Sequence, residues 1–166
     1  GGFIISTTSD GKIFTQDHRE KAPGRAHRDM FLDNNGSVIP GMSLVSRASS
    51  GVPGTVHGLL SAWSDHGSGN IGLQQLLLPA IRLAEKGFLL SHYQAEFFNS
   101  YKDNLLLNKA AAKIFIRKDK RQWKQGDRII QKDLAKTLKR IAKYGTAGFY
   151  KGVTADLIVK EMQKSN

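Results

Sequence analysis

At 166 residues, 40% of them hydrophobic, the chain suits one domain of ordinary size with a buried core, and its lack of cysteine excludes disulfides, thiolate metal sites and a cysteine nucleophile. No stretch approaches the ~18 consecutive apolar residues of a membrane span, and no basic-then-apolar leader opens the chain. The formal charge of +11 sits in the second half: residues 1–100 hold eight Lys/Arg against eight Asp/Glu, and residues 101–166 hold seventeen against six.

Gly1-Gly2 stands directly before an apolar run with no initiator Met, so the chain reads as beginning inside a longer polypeptide. Phe3-Ile4-Ile5-Ser6-Thr7-Thr8 is rich in β-branched residues, Ser9-Asp10-Gly11 is turn chemistry, and Lys12-Ile13-Phe14-Thr15-Gln16 returns, so residues 1–17 predict a β-hairpin. It leads into the charged stretch QDHREKAPGRAH, residues 16–27, where Arg19 is either a solvated surface charge or a group that holds an anion. Residues 33–54 gather Asp33-Asn34-Asn35-Gly36, Pro40-Gly41, Ser49-Ser50-Gly51 and Pro53-Gly54, and predict a long loop.

A helix is expected over Thr55–His66, with Val56, Leu59, Leu60 and Trp63 on one side and Gly67 at its stop. From Leu73 the apolar residues 73, 76, 77, 80, 81 and 84 keep helical spacing up to Gly87, and Pro79 implies a kink or two short helices. Ser91 caps a helix to about Tyr101 that turns Tyr93, Phe97 and Phe98 inward. Lys113-Ile114-Phe115-Ile116-Arg117 favours a strand by its β-branched content, and Gln125-Gly126-Asp127 is a turn before a short extended piece. Asp133 starts an amphipathic helix with Leu134, Leu138, Ile141 and Ala142 inward and lysines outward, ended by Gly145. Thr154 caps a last helix with the stripe Leu157, Ile158 and Met162. The fold class is therefore α+β: residues 1–166 as one domain, with a hairpin over 1–17, the loop over 33–54 and a helical lobe over 55–166.

The chemistry-bearing residues form no self-sufficient motif. His18, His27, His57, His66 and His92 show no i, i+4 pair, so no metal site is expected. His57 reads as a hydrogen-bonded structural histidine, and His18 fits a cleft wall beside Arg19 as well as the hairpin surface. There is no G-x-S-x-G elbow and no P-loop. Gly51-Val52-Pro53-Gly54-Thr55 opens a helix and could offer N–H groups to an anion, with a tight packing turn as the plainer account. The basic half reads first as Lys-rich helix faces in solvent and second as a surface for acidic partners; its aromatic residues fall where core packing accounts for them, which speaks against nucleic acid.

Asp17-His18-Arg19-Glu20-Lys21-Ala22-Pro23, Arg28-Asp29-Met30-Phe31-Leu32-Asp33 and Ser50-Gly51-Val52-Pro53-Gly54-Thr55-Val56, in this order and spacing, resemble the large subunit of γ-glutamyltranspeptidase. Leu78-Pro79-Ala80-Ile81-Arg82-Leu83-Ala84-Glu85-Lys86-Gly87-Phe88, Gly126-Asp127, Asp133-Leu134-Ala135-Lys136-Thr137-Leu138 and Phe149-Tyr150-Lys151-Gly152 extend the resemblance over nearly the whole chain. It implies an N-terminal nucleophile hydrolase, made as a precursor that cuts itself into a large and a small subunit. The new terminal Thr of the small subunit attacks the γ-glutamyl amide of glutathione and passes the glutamyl group to water or an acceptor amine. No catalytic nucleophile is then expected in this chain, and no cofactor.

By the same resemblance the chain is an internal piece of the large subunit: a helical lobe plus two strands of a larger αββα sandwich, inactive alone, with apolar surface that missing strands would cover. Arg19 matches the arginine that binds the α-carboxylate of the γ-glutamyl group. Glu20, its neighbour in an extended segment, is expected on the opposite face and not in a pair with Arg19. His18 and the loop around Arg47 depart from the family pattern. The implied partners are the small subunit of the same precursor and a γ-glutamyl substrate such as glutathione, and the implied location is periplasmic, secreted or cell-surface. The alternatives are a β-lactam acylase of the same family and a non-catalytic basic module for acidic partners.

Overall fold

Alternating side chains and a Gly-containing turn give the hairpin its form. In a computed structural model that describes residues 1–164, strands β1 (Phe3–Thr7) and β2 (Ile13–Asp17) pair antiparallel with Phe3 opposite Asp17 and Thr7 opposite Ile13. Ile4, Ser6, Phe14 and Gln16 share the covered face, while Phe3, Ile5 and Ile13 lie on the other face, each about 70% exposed. Residues 33–54 are largely irregular, as expected, but contain one helical turn, α1 (Met42–Val45), and a 3-10 turn at Arg47–Ser49. Arg47, from the 3-10 turn, forms an ion pair with Glu161 at 3.0 Å.

Helix α2 (Thr55–His66) ends at Gly67 where the sequence places its stop. Helix α3 (Leu73–Lys86) runs unbroken through Pro79, so it is not two helices. It buries Ile81 and Ala84, while Leu76 and Leu83 remain half exposed. Strand β3 (Phe88–Leu89) follows Gly87, and α4 (His92–Ser100) opens with a capping box: the Gln94 N–H donates to Ser91 Oγ and the Gln94 side chain accepts from the Ser91 N–H. Its inward side is Ala95 and Phe98; Tyr93 and Phe97, expected inside, face solvent.

Helices α5 (Lys102–Leu106) and α6 (Lys109–Phe115) come next. Residues 113–115 are thus helical and not strand: Asn108 Oδ1 accepts from the N–H groups of Ala110 and Ala111, and the run of alanines propagates the turn that this cap starts. Strand β4 (Arg128–Ile129) pairs antiparallel with β3. Helix α7 (Lys132–Tyr144) buries Ala135 and Ile141 and leaves Leu134 43% exposed. Helix α8 (Ala147–Tyr150) follows, and α9 (Gly152–Met162) begins two residues before Thr154. Thr154 is therefore not its cap; buried, it donates from Oγ1 to the Gly148 carbonyl at 2.7 Å and ties α9 to α8.

The chain gathers into two compact units, one from Gly1–Ile71 with the stretch from Tyr144 onward, the other Gly72–Lys143. The residues read as one helical lobe, 55–166, are shared between them. Every buried hydrophobic side chain among the described residues belongs to the second unit: Leu90, Ala95 and Ile129 with Phe88, Phe98, Phe115 and Trp123 around them, and Ile81, Ala84, Ala135 and Ile141 on α3 and α7. In the first unit the buried residues among those described are small or polar: Gly58, Gly148 and Thr154.

Candidate functional site

Residues 18–21 leave β2 and are fixed from several sides. The His18 N–H donates to the Gly2 carbonyl at 2.9 Å, and the Arg19 N–H donates to Asp17 Oδ1 at 2.9 Å. Lys21 and Val52 exchange two backbone bonds, 3.1 and 2.8 Å, which dock the segment on the Gly51-Val52-Pro53-Gly54 turn. A Cβ on Gly54 would lie 2.5 Å from the Arg19 carbonyl oxygen, so the segment rests on the helix backbone itself. That stretch is thus a packing turn. One N–H of the α2 N-terminus is already engaged, because His57 donates its backbone N–H to Tyr150 Oη at 3.2 Å. The Tyr150 hydroxyl in turn donates to the Pro53 carbonyl at 2.6 Å, and so joins the Phe149-Tyr150-Lys151-Gly152 stretch to the same turn. Three stretches distant in sequence, around residues 19, 53 and 150, are brought together.

Arg19 is half exposed. Its Nη2 donates to Glu20 Oε1 at 2.6 Å and its Nε to Glu20 Oε2 at 3.4 Å, and its guanidinium carbon lies 5.9 Å from the Phe3 ring centroid. This corrects the expectation for Glu20. Strand β2 ends at Asp17, so the strand rule of opposite faces no longer governs residues 19 and 20. The pair raises the pKa of Arg19 further and holds Glu20 at about 2, chiefly by the side-chain hydrogen bond. Glu20 occupies the Nε–Nη2 edge of the fork, and the Nη1 side has no acceptor among the described residues. Phe3 belongs to the uncovered hairpin face, so Arg19 reaches that same face.

His18 is partly buried against Gly58, and its Nδ1 is enclosed with no hydrogen-bond partner among the described residues. His57 is exposed on α2, where its backbone N–H bonds Tyr150 Oη and its ring makes no hydrogen bond among the described residues, so it is not the expected hydrogen-bonded structural histidine. The sequence reading missed Gly58 and Tyr150. Helical periodicity passes over a glycine, and a tyrosine at a helix end reads as core.

A separate groove of about 830 Å³ lies wholly in the second unit, lined by Ile114, Ile130 and Leu134 with Lys113, Lys118 and Lys132. Arg117 and Trp123 also line it: the guanidinium sits 5.3 Å from the ring centroid and pairs with Asp119 and Asp127 at 2.8 and 2.6 Å. Asp119 and Asp127 both lie below the usual carboxylate range: for Asp119 the side-chain bonds from Arg117 and Arg121 dominate, for Asp127 the backbone bond from Lys124, with Arg117 adding to it. Among the described residues no group of three or more His, Asp or Glu could hold a metal, and no helix is long and apolar enough to cross a membrane.

The chain is similar over nearly its whole length to glutathione hydrolase proenzymes: 38% identical over 165 residues to that of Escherichia coli K12 and 42% over 164 residues to that of Pseudomonas sp. A14. It spans about 28% of the length of these curated relatives. The crystal structure of Helicobacter pylori γ-glutamyltranspeptidase superposes with a TM-score of 0.92 at 40% identity, covering 98% of this chain and 46% of that one. The Pseudomonas nitroreducens enzyme, solved in complex with L-DON, gives 0.84 at 37% identity with the same coverage. The family model described as gamma-glutamyltranspeptidase matches residues 1–166. An α+β chain that keeps this fold and these motifs throughout belongs to the γ-glutamyltranspeptidase family.

Proposed function

We propose that the chain supplies carboxylate binding to an enzyme that cleaves the γ-glutamyl amide of glutathione and passes the glutamyl group to water or to an amino-acid or peptide acceptor. The observation that carries this reading is the placement of Arg19: its backbone is clamped between β2 and α2, one edge of its fork is oriented by Glu20, and its guanidinium lies on the uncovered hairpin face. A carboxylate arriving at the Nη1–Nη2 edge gains two parallel charge-assisted bonds, which fix the amino-acid end of the donor and so aim its γ-carbonyl.

The nucleophile is assigned to the terminal Thr of the small subunit. Its hydroxyl attacks the γ-carbonyl, its α-amino group or a water held there takes the proton, and the amine leaves protonated. Water or an acceptor amine then attacks the glutamyl ester and frees the Thr hydroxyl. The remainder of the precursor is the expected partner. The relatives extend well beyond the matched part, the first unit buries no large hydrophobic side chain among its described residues, and Phe3, Ile5 and Ile13 stand exposed where further strands of an αββα sandwich would pack.

Arg19→Ala in the full-length precursor should raise KM for the γ-glutamyl donor by about 10- to 100-fold, the range for losing a charge-assisted pair, with self-cleavage intact. Unchanged KM would overturn the role of Arg19.

A second reading draws on the groove of the second unit, where Lys113, Lys118 and Lys132 enter no ion pair among the described residues. It is a basic surface for an acidic partner. Retention on heparin at low salt that falls steeply with added salt would support it, and no retention would remove it.

A further inference from the structure

We infer that Gly58 is a positioning residue for Arg19, acting through His18; the inference rests on the carboxylate-binding role of Arg19 given above. Gly58 lies in the middle of α2, where helix propensity alone favours alanine. What occupies the place of its missing side chain is His18. A Cβ at 58 would fall on the Cβ and Cγ of His18, far inside van der Waals contact, and 3.0 Å from its Cδ2. Gly54 sits four residues earlier on the same helix face and meets the His18 and Arg19 carbonyls in the same way. The two glycines thus form one seat, a full helical turn long, for residues 18 and 19. The Gly58 carbonyl adds a further tie by accepting from Gln16 Nε2 at 2.9 Å.

His18 is held in this seat by packing, since its enclosed Nδ1 has no hydrogen-bond partner among the described residues. A side chain on residue 58 therefore lifts His18 off the helix. Arg19 moves with it, because the next peptide carries the guanidinium's Cα. The Lys21–Val52 bonds pin the chain two residues further on, so the displacement concentrates at 18–20. The charge of Arg19 is kept; its aim is lost.

The test is a cycle of full-length precursors: wild type, Gly58→Ala, Arg19→Ala and the double variant, with KM and kcat for a γ-glutamyl donor and the extent of self-cleavage measured for each. Gly58→Ala should raise KM about 10- to 100-fold, as expected for a misplacement of ~1 Å, with self-cleavage retained and kcat changed far less than KM. In the Arg19→Ala background the same substitution should add little, because the contact it spoils is already gone. If Gly58→Ala raises KM by the same factor in both backgrounds, or not at all, the positioning role is wrong while that of Arg19 stands. If Arg19→Ala itself leaves KM unchanged, the parent reading fails and this one with it. Should Gly58→Ala fail to mature, His18→Ala replaces it in the cycle: emptying the seat should raise KM severalfold, again only while Arg19 is present, and an unchanged KM overturns the inference.

Discussion

At the scale of single residues, Arg19 and Glu20 are the informative pair. Both are about half exposed, so their contact contributes little to stability and serves mainly to orient the fork. Under the proposed carboxylate-binding role, Arg19→Lys in the full-length precursor keeps the charge but presents a point in place of two parallel donors, and it should raise KM for the γ-glutamyl donor about tenfold in steady-state assays. The acid side follows from Glu20, whose folded pKa of about 2 lies below its ordinary 4.5 because Arg19 bonds the ionised carboxylate. A depressed folded pKa means the pair is complete above 4.5 and is lost as pH falls through about 2. An NMR titration should place the Glu20 midpoint near 2 and return it toward 4.5 in Arg19→Ala. A midpoint that stays put on substitution would show that Arg19 is not the cause. The role proposed for Arg19 is legible only through its motif, since an arginine at a strand end is by itself an ordinary surface residue.

At the scale of elements, helix ends were readable and helix faces less so. Ser91, Gly67 and Gly87 mark boundaries because capping is decided by a few adjacent residues. Which side turns inward depends on what packs there, so Tyr93, Phe97 and Leu134 face solvent in spite of apolar spacing. The 113–117 segment shows local preference losing to context, as the Asn108 cap and Ala110–Ala112 carry Ile114 and Phe115 into a helix. Thr154 is a joint between two helices, and Thr154→Val should cost about 1 kcal/mol in chemical denaturation, the net worth of one hydrogen bond. Leu90, 2% exposed, is the largest fully enclosed side chain among the described residues, and Leu90→Ala should cost about 2–5 kcal/mol by loss of apolar burial and cavity formation. A smaller loss than for Thr154→Val would show that the second unit is not centred on Leu90.

At the scale of the whole molecule, hydrophobic burial is uneven. The second unit carries the buried aliphatic and aromatic core, whereas the first relies on glycine contacts, backbone bonds and the Tyr150 bridge while presenting Phe3, Ile5 and Ile13 outward. Residues 1–166 expressed alone should therefore bind a hydrophobic dye and self-associate at micromolar concentration, and Ile5→Lys should suppress both in sedimentation and fluorescence measurements. A monomeric, dye-silent chain would mean that this face needs no cover.

The sequence by itself determined the hairpin, the limits of α2 and α3, the Ser91 cap, the location of the excess charge and, through its motifs, the family, because these depend on neighbours along the chain or on residue identity in fixed order. Only the tertiary structure decided that Glu20 turns back onto Arg19, that Tyr150 braces the Pro53 turn, and that Gly54 and Gly58 seat His18. Those contacts join residues up to 97 positions apart. No periodicity encodes such a meeting; close packing of backbone on backbone does.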